Sequence, residues 1–438
     1  MRLKQLELRN MRLFGSPGQT VTFSDDRNVT ILVGNNGSGK STILDAIAVE
    51  MSSFISNFQG QSAKQFSDTD IHFNDQEQYG DYLQVGASFS TTYNGLLEIV
   101  RTRQGREKAP EGTLKNVKAY AEELIRRVNG NDDIHLPVLA YYGTGRGQIK
   151  APTRKRDFKK AFTRWDAYSN ALEADTNFKR FIEWFDLMED EERREREERW
   201  EKGYKNKALE TVRTALNTFV GDRFSNPRME LHPLRFVMDE TTPDGKKRTL
   251  RIEQMSDGYK IITAMVADIA SRMAELNPGM ANPLESTGIV LIDEIDLHLH
   301  PKWQRTVIES LTKTFPNVQF IATTHSPILI SGAMDIAQLI VLGGEQIIDV
   351  DASKYDRYDV SQILLSDLFG LQSTRAPRWD EPIQEHMALL EKTDRTPEED
   401  KRLKELDKIL SNISYGETSD AIRSRELIYK IAAEMGIQ

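Results

Sequence analysis

The chain contains no cysteine, which excludes disulfides and thiolate metal sites. No apolar run approaches the ~18 residues that a membrane-spanning helix requires. The opening MRLKQLELRNMRLF alternates polar and apolar residues and has no signal-peptide core. The expected location is therefore cytoplasmic, with no membrane contact. Excess positive charge is also missing: 67 acidic and 58 basic side chains leave a net charge of −9. The chain as a whole is thus no polyanion binder, and any nucleic-acid contact needs a local basic patch. Within these bounds, 438 residues with 39% hydrophobic content exceed one average domain. One large domain with insertions, or two to three lobes, is expected.

The stretch from Gly288 to Pro327 is the most informative. Ile289 to Ile292 run directly into Asp293 and Glu294, which reads as a buried strand ending in two carboxylates. A second apolar strand, Val318 to Thr323, leads into Thr324, His325 and Ser326. Two strands that deliver two acids and a histidine to one sheet edge point to nucleotide hydrolysis. Asp293 is the expected Mg²⁺ partner, and Glu294 is placed to orient or deprotonate the attacking water. His325 is expected to hydrogen-bond the γ-phosphate.

Residues 29–33, VTILV, read as a short strand before Gly34-Asn35-Asn36-Gly37-Ser38-Gly39-Lys40-Ser41, and Leu44, Ile47 and Ala48 then recur at helical spacing. Strand, G-x-x-x-x-G-K-S and helix is the setting a phosphate-binding loop requires. The residues expected to hold ATP are Asn35, Asn36, Gly37, Gly39, Lys40, Ser41 and Thr42. The glycines let backbone N–H groups turn inward, and the helix start adds partial positive charge. Lys40 reaches the β- and γ-phosphates, and the Ser41 hydroxyl joins Asp293 as a Mg²⁺ ligand.

Upstream, Ser256-Asp257-Gly258 precedes a helical stripe of Ile261, Ala264, Met265 and Ile269. A hydroxyl and a glycine at a helix start make a second anion site. One chain cannot easily wrap both anion sites around one nucleotide, so a second copy is expected to supply its Ser256 loop.

The order of these motifs resembles the ABC-type ATPase head, in the branch shared by SMC, Rad50, RecF and the overcoming-lysogenization-defect family. The resemblance implies an α/β head of two lobes, with a mixed sheet around the P-loop core. It implies that Lys40 and Ser41 belong to Walker A, Asp293 and Glu294 to Walker B, and Ser256 to Gly258 to the signature. Asp296 becomes the D-loop residue and His325 the switch histidine. Met255, Asp257 and Tyr259 depart from the transporter signature and lie nearer the SMC-like branch. Residues 137–146 (PVLAYYGTGR) and 296–301 (DLHLHP) further resemble the ATPase subunits of Septu-type and some retron anti-phage systems. That resemblance implies a separate HNH nuclease as partner, and a dimer or dimer-based oligomer controlling it. A DNA-repair ATPase and a nucleotide-sensing scaffold with negligible turnover stand as alternatives. The Q-loop residue is open between Gln148 and Arg146.

The expected division is a first ATPase lobe at 1–150, a helical insertion at 151–225, a second lobe at 226–350 and a helical region at 351–438. Residues 84–102 alternate as strands of the first lobe. From about 155 the apolar residues Phe158, Phe162, Trp165, Tyr168 and Leu172 step by three or four, predicting a helix with a core face. Met188 to Lys202 holds thirteen charged residues out of fifteen, with Glu189–Arg193, Asp190–Arg194, Glu192–Arg196, Glu195–Arg199 and Glu198–Lys202 at i,i+4. This reads as a solvated strut or a docking arm. Arg146, Lys150, Arg154, Lys155, Arg156, Lys159 and Lys160 form a basic cluster open to nucleic acid, to an acidic partner or to solvent. Residues 338–351 predict a hairpin turning at Gly343-Gly344, and Asp349 and Asp351 read as ordinary hairpin acids rather than a metal site. Thr396-Pro-Glu-Glu399 predicts a capped helix carrying Leu403, Leu406, Leu410 and Ile413 on one face. No HNH, TOPRIM or Cys/His metal motif occurs, so any nuclease activity is expected from another protein.

Overall fold

The apolar runs that end in the phosphate loop, the paired acids and the histidine lie side by side in one sheet. The computed structural model describes residues 1–73, 79–147, 161–174, 178–200, 203–231, 234–343, 346–371, 373–392 and 394–410. It divides into a unit of Met1–Ala352 and a unit of Ser353–Gln438. The first unit begins β1 (Arg2–Arg9), β2 (Gln19–Thr22), β3 (Val29–Gly34), α1 (Lys40–Ile55), β4 (Tyr82–Thr91), β5 (Gly95–Gln104), α2 (Lys115–Asn129) and β6 (Val138–Tyr142). It continues with α3 (Lys179–Glu198), α4 (Lys207–Val220), β7 (Phe224–Leu231), β8 (Leu234–Thr241), β9 (Lys247–Arg251), α5 (Asp257–Leu276) and β10 (Gly288–Ile292). It closes with α6 (Pro301–Gln304), α7 (Val307–Thr314), β11 (Val318–Thr324), α8 (Pro327–Ala333), β12 (Ala337–Gly343) and β13 (Gln346–Val350). The second unit contains α9 (Val360–Leu365), α10 (Asp380–Glu391) and α11 (Pro397–Leu410).

The central sheet has the order β13-β12-β3-β11-β10-β6. All its neighbours are parallel except the edge strand β13. Strands β6, β10 and β11 are buried along their whole length, as parallel strands covered on both faces must be. Helix α1 packs on β3, β10 and β11, and α5 packs on β6. An antiparallel sheet of order β2-β1-β4-β5 and a smaller one of order β7-β8-β9 complete this unit. Leu3, Leu6, Leu8, Phe14 and Phe23, spaced along the N-terminal segment, are all buried.

Two buried glutamines tie the sheets together through the backbone. Gln319 on β11 accepts from Leu3 N–H at 2.8 Å and donates to Leu3 C=O at 3.0 Å. Gln338 on β12 does the same for Ser24 N–H at 2.9 Å and Thr22 C=O at 3.0 Å.

The insertion differs from its predicted form. Residues 164–168 make a short 3₁₀ turn, not a turn of a long helix. Asp166 accepts from the Thr163 N–H at 2.7 Å and hydroxyl at 3.0 Å, and Asn170 is left-handed at φ 52, which ends the turn. The aromatics still serve the core: Trp165 stacks on Phe58 at 4.6 Å and Tyr168 at 5.2 Å. Phe158 lies outside the described residues. The charged run belongs to α3, but it is no fully solvated strut. Glu192 is 3% exposed, held by Arg196 at 2.6 Å, Arg213 at 3.0 Å and the Asn206 N–H at 2.8 Å. Glu189 turns to the Met229 N–H at 2.8 Å, leaving Arg193 to pair with Asp190. One face of the run is therefore spent on α4 and β7.

The hairpin forms as predicted, with Gly343 opposite Gln346, and Asp349 accepts from Gln338 at 2.9 Å. In the second unit Thr396 and Glu399 make the reciprocal cap at 2.8 and 3.3 Å. Leu406 and Leu410 are buried there, while Ile413 lies outside the described residues. Among the described residues, no helix is long and apolar enough to cross a membrane.

A buried ion pair and a buried carboxyl make the fold testable. Asp268 and Arg272 on α5 are 1% and 2% exposed and meet at 2.8 Å, and Tyr142 donates to the same carboxylate at 2.7 Å. Arg272→Met strands Asp268 without its cation, so the thermal or denaturant transition should fall by about 3–5 kcal/mol. Glu50 on α1 is fully buried, and neither carboxylate oxygen has a hydrogen bond among the described residues. Burial holds its carboxyl well above the ordinary 4.5, against the pull of Arg101. The folded state therefore keeps a proton that the unfolded chain releases, and stability is lost as pH rises through the window above the ordinary value. Glu50→Gln should match the parent in acid and gain on it by about 1.4 kcal/mol per pH unit across that window, read from denaturant titrations at several pH values.

Candidate nucleotide-binding site

The carboxyl ends of β3, β11 and β10 are adjacent, so the loops that follow them share one edge of the sheet, the usual ligand crevice of such sheets. After β3 the chain bends through Asn35 and Asn36, both exposed, and enters α1 at Lys40. Gly37 has φ 79 and Gly39 has φ 97, conformations that side chains resist. A Cβ on Gly39 would also lie 2.7 Å from the Phe14 ring. Gly39 sits at the helix N-cap with no side chain capping the first N–H groups, which leaves them for an anion. Thr42 is buried in the first turn, and the buried Ser38 hydroxyl has no hydrogen-bond partner among the described residues. The Lys40 ammonium donates to the Gly34 and Asn35 carbonyls, each at 2.8 Å. Burial lowers its pKa, and the charges of Asp293 and Glu294 oppose that.

Asp293 is the centre of the edge. Its Oδ2 accepts from Ser41 Oγ at 2.9 Å and its Oδ1 from Thr323 Oγ1 at 2.6 Å. Thr323 Oγ1 in turn accepts from the Glu294 N–H at 2.7 Å. Glu294 is half-buried and left-handed, at φ 47. Thr324 donates to Asp296 at 2.5 Å and accepts from the Ser326 N–H at 3.0 Å. His325 is held between these two residues at the end of β11, half-buried. The structure thus brings together the phosphate loop, both acids, Asp296 and His325.

No hydrogen bond among the described residues joins 256–258 to the phosphate loop. Ser256 is the N-cap residue of α5, yet its hydroxyl makes no cap bond and is exposed. Asp257 pairs with Lys260 at 2.6 Å, which holds its carboxyl below the usual range. Gly258 backs onto the chain after Asp296: a Cβ there would lie 2.7 Å from the His298 carbonyl oxygen. Tyr259 packs edge-on against Trp303 at 4.8 Å and Phe224 at 5.0 Å, fixing the loop from below.

Two further residues hold the site, Thr323, which no motif marks, and Arg146, which the sequence offers as a Q-loop candidate. Thr323 was read only as a strand residue, and its place one step before the strand end is its sole signal. Arg146, a member of the basic cluster and a Q-loop candidate by sequence, is 2% exposed and donates to the carbonyls of Gly143 at 2.8 Å, Asp293, and Glu294 at 2.6 Å. A buried guanidinium used up on backbone oxygens is no nucleic-acid contact. Burial lowers its pKa, countered by Asp293, Asp296 and Glu294. Gln148, Lys150, Arg154, Lys155, Arg156, Lys159 and Lys160 lie outside the described residues.

The donors suit Mg²⁺, which takes one or two protein oxygens and fills its shell with water and phosphate. Ser41 Oγ and Asp293 Oδ2 are 2.9 Å apart, and among the described residues no group of three or more His, Asp or Glu is placed to hold a metal ion by itself.

Residues 29–331 match the family described as "AAA domain, putative AbiEii toxin, Type IV TA system", and residues 3–54 match the P-loop containing region of the AAA domain. The Retron Ec83 probable ATPase of Escherichia coli is 28% identical over 89% of this chain and 80% of its own length. The Retron Vc95 probable ATPase of Vibrio cholerae serotype O1 biovar El Tor is 28% identical over 76% of this chain and 71% of its own. The Septu protein PtuA of Bacillus mycoides (strain KBAB4) is 38% identical, but over only 28% of this chain and 17% of its own. Among solved structures, an SMC head bound to the C-winged helix domain of ScpA aligns over 80% of this chain at a TM-score of 0.47 and 17% identity, too distant to speak to activity. With the phosphate loop and both acids inside a family match that spans most of its length, the chain belongs to the AAA-domain family so described.

Proposed function

We propose that the chain is a Mg²⁺-dependent ATPase that works as a head-to-head dimer and controls a separate effector in anti-phage defence. The observation that carries the reading is the Ser41–Asp293–Thr323 hydrogen-bond chain, which joins the phosphate loop to the paired acids at one sheet edge. Lys40, released from the Gly34 and Asn35 carbonyls, turns to the β- and γ-phosphates of ATP. Ser41 and Asp293 hold Mg²⁺, which when bound neutralises phosphate charge. Glu294 accepts a proton from the attacking water or orients it, and His325 donates a hydrogen bond to the γ-phosphate.

The dimer follows from Ser256. Its exposed, uncapped hydroxyl stands at a helix start, and no hydrogen bond among the described residues ties it to its own phosphate loop, so a second copy is the natural source of the opposite wall. Asp296 and Gly258 back onto one segment, so the partner's signature and D-loop would arrive together. The retron and Septu relatives support a defence setting and a separate effector, an HNH nuclease, as the working part.

Glu294→Gln should keep ATP binding, lose about 10²–10⁴ of turnover and shift to dimer mass in light scattering when ATP is added. Lys40→Ala should lose binding itself. A Glu294→Gln protein that hydrolyses ATP as fast as the parent would contradict the reading.

A further inference from the structure

Arg146 brings a guanidinium into the floor of the site without facing the crevice. Its side chain is buried, and its hydrogen bonds go to the carbonyl oxygens of Gly143, Asp293 and Glu294. The last two are consecutive residues, and the second is left-handed at φ 47, where a side chain is disfavoured. Glu294 is thereby gripped from both sides: Thr323 takes its N–H at 2.7 Å and Arg146 takes its C=O at 2.6 Å. Since φ and ψ set the direction of Cα–Cβ, this grip decides where the Glu294 carboxylate starts from.

The clamp itself is rigid. Gly143 donates its N–H to the Ala174 carbonyl at 2.9 Å, and a Cβ on Gly143 would lie 2.6 Å from the Ala174 Cβ. Tyr141, two residues earlier, donates its N–H to the Ala171 carbonyl at 2.7 Å. The turn that carries Arg146 is therefore held against the insertion, and it carries that support to the paired acids.

We infer that Arg146 is a positioning residue for ATP hydrolysis, which holds Glu294 in its left-handed backbone and so aims the carboxylate at the attacking water. It touches neither nucleotide nor water. The inference rests on the ATPase reading above. A planar fork reaches two carbonyls in fixed geometry, whereas the ammonium of lysine is a point donor on a flexible stem.

The test compares wild type, Arg146→Lys, Arg146→Met, Glu294→Gln and the Arg146→Lys/Glu294→Gln double variant. For each, kcat and KM for ATP, the Kd of a non-hydrolysable ATP analogue and the melting temperature are measured. Arg146→Lys should lower kcat by about 10²-fold, the scale of an ångström-sized misplacement, with KM and Kd unchanged. The double variant should be no slower than Glu294→Gln alone, because Arg146 acts only through Glu294. Should Arg146→Met fail to fold, Arg146→Lys decides the matter. Wild-type turnover in Arg146→Lys, a Kd that weakens in step with kcat, or losses that multiply in the double variant would each overturn the inference. Wild type and Glu294→Gln differing from each other while Arg146→Lys matches wild type would remove this inference alone. No difference between wild type and Glu294→Gln would remove the ATPase reading and this inference with it.

Discussion

The Asp293 carboxylate is 7% exposed, and each of its oxygens accepts a hydroxyl, one from Ser41 and one from Thr323. Hydrogen bonds to an ionised group are worth about 1.5–3 kcal/mol each, and here they set geometry as well as energy. Ser41 lies in the first turn of α1, Thr323 is the penultimate residue of β11, and Asp293 follows β10, so a single carboxylate pins three segments remote in sequence. The parallel register makes this possible: Ile292 lies opposite Ala322 and Tyr142, and Thr324 lies opposite Val33. A slip of one residue in β10 would turn Asp293 to the other face and break the chain of hydroxyls.

Charge balance follows from the same arrangement. Asp293, Glu294 and Asp296 gather three acids at the crevice, faced by Lys40 from above and Arg146 from below. Lys40 donates to the Gly34 and Asn35 carbonyls, which keeps its buried ammonium hydrogen-bonded. Arg146 has no such freedom, because its donors are committed to backbone oxygens. One cation is thus free to exchange carbonyls for phosphate, while the other is part of the frame. The proposed function gives the exposed Ser256 hydroxyl its role at the site of a second copy.

Much of the site was legible because its signals are local. The glycines at 34, 37 and 39 serve backbone turns, the apolar runs before Asp293 and His325 serve buried strands, and the Thr396–Glu399 cap needs four residues. The hairpin at Gly343 was legible for the same reason. The long-range partners were not. Arg146 stands in a basic stretch, and nothing in the sequence says that its side chain points inward to carbonyls far along the chain. Glu192 sits in a run of charges, and its buried place depends on partners far along the chain, Arg213 on α4 and the Asn206 N–H. The aromatic spacing from 162 to 172 imitates a helix, but Asp166 and Asn170 hold the chain in a tighter turn that still delivers the rings to Phe58. In that segment tertiary packing selected the residues, and periodicity mistook their order for a helix.

The central claim, that a complete site takes its two anion-binding walls from two copies of the chain, is open to one direct measurement. Lys40→Ala removes the phosphate-loop cation and leaves Ser256 intact, while Ser256→Arg blocks the opposite wall and leaves Lys40 intact. Each protein is prepared separately, and ATP turnover is recorded for each alone and for the two mixed. The account predicts that both are inactive alone and that turnover returns in the mixture, where one intact site forms across each mixed dimer. A mixture as inactive as its components, or a Ser256→Arg protein that turns over ATP unaided, would contradict it.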